Sequence, residues 1–291
     1  MQIRHVCEFR DILIRYAYTA HLSPSDWAWE FLRRNRRLQG NAFNRTVTPD
    51  VLAAAGQVTR LSLPRRDRLA ETWGLICFPD TSRPALATDV FWSDRAYCAK
   101  IAILGRERAT GEAAGLFDAG LPACRITHLS DAHSGEHVLM RTGAGVLQVR
   151  YRGLTLFAGH EVKLDVSLSN ISQPGRQADI LAQARRVFGQ GQAGTPALTQ
   201  KGLRLRNALV ALDAHTAGLT YRETAMILYG EDRVSDAWHS HSAAMKSEMA
   251  RLLSKGQRLR DGGYFRLMRG RRPPGRRQGG GAQGQEVPNR G

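Results

Sequence analysis

Apolar positions along the chain follow a helical spacing at the start, an alternating one in the middle and a helical one again towards the end. In residues 1–22, Val6, Phe9, Ile12, Leu13 and Tyr16 recur three and four apart, which predicts a helical N-terminal extension. Ser23-Pro24-Ser25-Asp26 then supplies a capping residue and a proline, and Trp27-Ala28-Trp29-Glu30-Phe31-Leu32-Arg33-Arg34-Asn35 reads as a short helix with a basic end. Trp27 and Phe31 share a face, and so much aromatic area belongs in a core rather than on a recognition surface. Residues 23–88 are expected to form a helical module.

From about Asp89 the pattern becomes that of strands. Leu147, Val149 and Tyr151 alternate with Gln148, Arg150 and Arg152, and Val162, Leu164, Val166 and Leu168 alternate with Glu161, Lys163, Asp165 and Ser167. Gly143, Gly145, Gly153 and Gly159 mark the turns. An antiparallel meander is expected, half-buried against helices on its apolar face. A helix over Gln177 to Phe188, with Ile180, Leu181, Ala184 and Phe188 inward, closes this β-rich domain of residues 89–190, and the Gly/Gln-rich stretch around residues 191–198 reads as a linker.

Residues 199–268 carry three helical patterns in quick succession. Leu205, Ala208, Leu209 and Leu212 form the first stripe, which stops before Gly218. Thr220-Tyr221-Arg222-Glu223 is a capping box, Tyr221, Ala225 and Leu228 share the face behind it, and Gly230 ends that helix after about two turns. A helix so short needs its neighbours to hold it. A third helix is expected from near Ser235 to about Lys255, with Trp238, Ser242, Met245, Met249 and Leu252 inward. His239, Ser240, Ala243, Ser247 and Arg251 then face outward, with Lys246 on the flank. Small side chains let a helix enter a major groove, and Ser, His, Lys and Arg reach base edges or phosphates. This is the pattern of a helix-turn-helix, and a plain helical bundle with a solvated basic face is the competing reading.

Charge shifts the balance towards DNA. The 291-residue chain carries a formal net charge of +16, with the excess concentrated in this domain and the tail of residues 269–291. That tail, with Arg-Arg-Pro-Pro-Gly-Arg-Arg-Gln-Gly-Gly-Gly at its start, lacks the apolar residues to fold and is expected to be either a phosphate-binding arm or a solvated terminus. An anionic membrane would also attract such charge, but no apolar run approaches the ~20 residues that cross a bilayer and none has the flanks of a signal peptide. A cytoplasmic, nucleoid-associated protein with no membrane partner is expected. Cys7, Cys77, Cys98 and Cys124 are too far apart for a zinc ribbon or a disulfide framework and are expected to be reduced and packed.

Three stretches resemble a known family: Thr220 to Gly230, then Arg233-Val234 and a tryptophan, then Gly256-Gln257-Arg258-Leu259-Arg260-Asp261-Gly262-Gly263-Tyr264. They are similar to a proteobacterial C-terminal domain long catalogued as of unknown function, found in activators of integrative and conjugative elements and of type VI secretion genes. Asp26 to Asn35 is similar to the transcriptional-regulator-like module that precedes it in the same proteins. The chain departs from the pattern in having Arg36-Arg37-Leu38 after the asparagine and His239 after the tryptophan. The resemblance to this FseA/RovC type implies an activator that binds promoter DNA as a homo-oligomer, with RNA polymerase or a small antiactivator protein as further partners.

The sequence thus predicts an α+β protein: a helical N-terminal module, a central antiparallel β-rich domain and a C-terminal helix-turn-helix-like helical domain. Its DNA-contact candidates are Arg222, Arg233, Ser235, His239, Ser240, Lys246, Arg251, Lys255, Arg258 and Arg260. No cofactor and no enzymatic activity are expected, since no nucleophile elbow, phosphate loop or dinucleotide fingerprint occurs. Cys124, His128, His133 and His137 are a weak metal-site candidate whose spacing matches no common zinc signature. Two alternatives remain: a non-specific architectural or RNA-binding protein, and a metal-dependent nucleic-acid enzyme.

Overall fold

A computed structural model describes residues 11–45, 47–55, 58–97, 100–109, 111, 124–131, 135–143, 145–154, 162–167, 174–188, 197–240 and 242–268. The linker centre and the basic tail lie outside the described residues, as do Cys7, Cys98 and His133. The fold is α+β, with helices at both ends of the chain and a sheet between.

The N-terminal region begins with α1 (Pro24–Leu32), whose Ser23 N-cap forms a full capping box with Asp26, followed by α2 (Arg36–Phe43) capped by Asn35. It then supplies two strands, β1 (Asp50–Ala55) and β2 (Val58–Leu63), before the short α3 (Arg68–Thr72). The remaining strands are β3 (Ile101–Glu107), β4 (Arg125–Asp131), β5 (Gly135–Thr142), β6 (Gly145–Gly153) and β7 (Val162–Ser167). Among the described residues they form one seven-stranded sheet in the order β1-β2-β4-β5-β6-β3-β7.

Two expectations change here. The sheet is mixed, because β2 runs parallel to β4 and β3 runs parallel to β6; only β4-β5-β6 is an antiparallel meander. β7 pairs with β3 and not with β6, so the two alternating segments of the sequence are separated by a strand from much earlier in the chain. The N-terminal module is also not purely helical, since β1 and β2 extend the central sheet.

The sheet is covered on both faces, where one apolar face was expected. Leu147, Val149 and Tyr151 pack with Ile180, Ala184 and Val187 of α4 (Pro174–Phe188). On the other face Leu129, Leu139 and Val146 meet Ile76, Cys77 and Phe91. Gln148 belongs to this second face yet is buried, because its amide accepts from the Trp92 N–H (3.3 Å) and donates to the Val90 carbonyl (2.9 Å). Polar residues in an alternating strand therefore bind a covering loop here rather than water.

The C-terminal helices are α5 (Gln200–Thr216), α6 (Tyr221–Tyr229), α7 (Glu231–Ser240), α8 (Ser242–Arg258) and α9 (Phe265–Met268). They are packed against the N-terminal helices. Trp27 and Phe31 of α1 share a core with Leu205, Ala208, Leu209 and Leu212 of α5 and with Leu253 and Leu259. Tyr264 and Met268 enter a second core with Trp29, Leu32, Leu38 and Trp92.

Candidate nucleic-acid interface

The candidate interface is built on α5, α6 and α8. Thr220 caps α6 as the sequence predicts: its hydroxyl accepts from the Glu223 N–H (3.3 Å) and the Glu223 carboxylate accepts from the Thr220 N–H (2.7 Å). Those bonds hold the Glu223 carboxyl below the usual range. Ala225, Ile227 and Leu228 bury the opposite face with Val210 and Ala214 of α5, and with Val234 and Met249.

The expected helix from Ser235 to Lys255 is helical on both sides of His241, which lies outside the described residues, and helix starts earlier than expected. α7 begins at Glu231, in the stretch between Gly230 and Ser235 where no helix was expected, and is described as far as Ser240; α8 is described from Ser242. Glu231 and Asp232 lie in the first turn of α7, where the helix dipole favours negative charge, so the supposed turn is a good helix start. The inward stripe is as expected: Met249 is buried, with Trp238, Met245 and Leu252 packed around it. A clasp joins the three helices, since the Tyr229 hydroxyl donates to Glu248 Oε1 (2.7 Å) and the Arg233 guanidinium lies 5.4 Å from the centre of the Tyr229 ring.

The sequence-predicted contacts divide by location. Lys246 and Arg251 are exposed on α8; the Lys246 ammonium lies 5.4 Å from the centre of the Trp238 ring, and Arg251 Nε donates to the Ser247 carbonyl (3.2 Å). Arg222 is exposed at the start of α6 and Arg233 on α7, whereas Ser235 is half-buried. His239 and Ser240 fall in the last turn of α7, with side chains outside the described residues. Lys255 is half-buried and Arg258 exposed at the far end of α8. Arg260 is committed elsewhere, donating through Nε and Nη2 to the Asp261 carboxylate (2.8 Å each), which itself accepts from Asn35 Nδ2 (3.2 Å).

Sequence reasoning missed Lys201 and Arg204, in the first turns of α5 beside Lys255. A cue was present: two cations and no acid open a helix whose dipole disfavours positive charge there.

Two of the stretches that carried the family resemblance, Gly256 to Tyr264 and Asp26 to Asn35, join the domains. Gly256 lies against α5 so closely that a Cβ there would sit 2.6 Å from the Ala208 carbonyl oxygen. Gly262, at φ 124°, turns the chain so that Tyr264 is buried, with its hydroxyl donating to the Trp73 carbonyl (3.0 Å). From the other side, Arg34, two residues beyond α1, grips Asp213 of α5 with two bonds (2.6 and 2.8 Å) and Glu30 with two more, through its carbonyl (2.5 Å) and carboxylate (2.7 Å). Tyr16 also donates to Asp213 (2.7 Å). Burial alone would raise the Glu30 carboxyl, but Arg33 and Arg34 outweigh it and hold it below the ordinary range.

The metal candidate does not assemble from the described residues. His128 pairs across the sheet with Val138 and Leu129 pairs with His137, so the two histidines point to opposite faces. His128 Nε2 is 3.1 Å from Glu136, and Cys124 packs in the core under α4.

Residues 166–269 match the family model described as a T6SS transcription factor DNA-binding domain, and residues 14–79 match the proteobacterial transcriptional regulator-like domain. No curated protein matches the chain significantly. The first region contains α5 to α8 and the second contains α1, α2, β1 and β2. The two regions together span more than half of the sequence, and the chain belongs to the FseA/RovC-type proteobacterial transcriptional regulators, which join a regulator-like N-terminal domain to a C-terminal DNA-binding domain.

Proposed function

We propose that this regulator binds promoter DNA sequence-specifically, with the exposed face of α8 entering the major groove and Arg222 of α6 bracing the backbone. The observation that supports it most is the pair Lys246 and Arg251 on the exposed face of α8, inside the matched DNA-binding domain and with no carboxylate partner among the described residues. A helix held from beneath by Met249 and Leu253 presents those cations on a fixed frame. We read the protein as an activator of mobile-element excision and transfer or of type VI secretion genes, working as a homo-oligomer in the bacterial cytoplasm and acting by binding rather than by catalysis. RNA polymerase or a small antiactivator protein would then be its partners. No described helix is long and apolar enough to cross a membrane, which fits a nucleoid-associated location.

The test is selection of bound fragments from the protein's own chromosome, followed by competition of the recovered site against unrelated duplex. A preference of about 1,000-fold or more is expected for a specific regulator. Lys246→Ala with Arg251→Ala should erode that preference and weaken binding. Binding with no preferred sequence would replace this reading with the architectural one.

A further inference from the structure

We propose that Lys201, Arg204, Lys255 and Arg258 form a second phosphate-binding surface, a clamp built across α5 and α8 that grips the duplex backbone alongside the segment met by the start of α8. The proposal rests on the DNA-binding reading above and adds a contact surface to it.

The clamp comes from two helices meeting closely. With no side chain at Gly256, α8 lies directly on the Ala208 carbonyl of α5, and this places Lys255 over the first turns of α5, its Nζ 3.5 Å from the Arg204 carbonyl. Lys201 and Arg204 are three residues apart on α5, as are Lys255 and Arg258 on α8, so each pair shares a helix face. Arg251, Lys255 and Arg258 follow one another at four and three residues, so the clamp continues the exposed cationic strip of α8 over about 10 Å, the axial rise of about three phosphates on one strand.

Among the described residues, no carboxylate neutralises this group. Several other cations of the chain meet carboxylates: Arg34 meets Asp213 and Glu30, Arg66 meets Glu71, Arg125 meets Asp89 and Arg260 meets Asp261. None of the four clamp residues has a carboxylate partner among the described residues, and three of them, Lys201, Arg204 and Arg258, are exposed without filling a core. Partial burial together with Arg204, Arg258 and Lys201 pushes the Lys255 ammonium below the ordinary lysine range, as expected of like charges held together. Like charges brought together by the fold, at a helix start whose dipole also repels them, are a destabilising arrangement that a polyanion relieves. The linear spacing along α8 favours a phosphate backbone over a single acidic side chain.

The experiment is an anisotropy titration of the full-length protein with a duplex of about 30 base pairs of arbitrary sequence, and with the site recovered from the chromosome, between about 50 and 200 mM salt. Lys201→Ala/Arg204→Ala/Arg258→Ala should make the slope of log affinity against log salt shallower by about 2 to 3. At the lower end of the salt range it should weaken both duplexes by about 10- to 100-fold, leaving the ratio between them unchanged. The charge-keeping variant Lys201→Arg/Arg204→Lys/Arg258→Lys should restore the slope. A wild-type slope in the alanine variant, or no restoration by the charge-keeping one, would overturn the clamp while leaving the reading strip standing. Failure of the wild-type protein to bind either duplex would overturn both.

Discussion

Breaking the ion pair between Arg34 and Asp213 tests the idea that the regulator-like region and the DNA-binding domain are one cooperative body. The Arg34 side chain is 15% exposed, Asp213 is 29% exposed and Glu30 is fully buried. Arg34→Met removes four hydrogen bonds, but neither carboxylate is stranded: Glu30 keeps Arg33 (2.8 Å) and the Ala85 N–H (2.7 Å), and Asp213 keeps the Tyr16 hydroxyl and some solvent. The loss should therefore sit at the low end of the 3–5 kcal/mol seen when a buried pair is broken, at about 3 kcal/mol. Asp213→Asn leaves Arg34 its Glu30 contacts and should cost about 1–2 kcal/mol. Because both changes break the same ion pair, the double variant should be more stable than the sum by about 1–2 kcal/mol. Urea unfolding read by tryptophan fluorescence and by far-ultraviolet circular dichroism measures this, and the two probes should report coincident transitions because Trp27 and Trp29 lie in cores shared with the C-terminal helices. Additivity within about 0.5 kcal/mol, or separate transitions, would refute the coupling.

Gly256→Ala places a methyl 2.6 Å from the Ala208 carbonyl oxygen, a backbone atom with little room to yield, so a loss of about 1–3 kcal/mol is expected in the same unfolding assay. An unchanged midpoint would show that α5 and α8 do not cross so tightly. His137 sits beneath the sheet, where burial and Lys100, with a smaller push from Arg150, outweigh Asp94 and Asp131 and lower its imidazole to about 4. The unfolded chain takes up this proton near pH 6.5, before the folded one does. Stability is thus complete above that value and falls by about 2–3 kcal/mol between pH 6.5 and 4. Melting temperatures of His137→Gln should lose this component of the acid slope, and an identical pH profile in the variant would contradict it.

How much was legible in the sequence can be judged element by element. Local signals determined the local structure: the Ser23 and Thr220 capping boxes start α1 and α6, Gly230 ends α6, and the Leu205, Ala208, Leu209 and Leu212 stripe faces a core. Those features depend on hydrogen bonds and side-chain faces within a few residues, so spacing alone reveals them. Net charge likewise pointed to a polyanion, since charge is a sum and needs no geometry. What spacing could not supply was partnership between distant segments. The insertion of β3 between β6 and β7, the burial of Gln148 under Trp92, and the seating of Trp27 and Phe31 on α5 all join residues far apart in the chain. The same holds for the clamp, whose halves are about fifty positions apart and become one charged surface only because Gly256 lets two helices touch. The sequence specified which faces were apolar and which residues were charged. Only the tertiary packing decided which of those charges were neutralised by carboxylates and which were left facing outward.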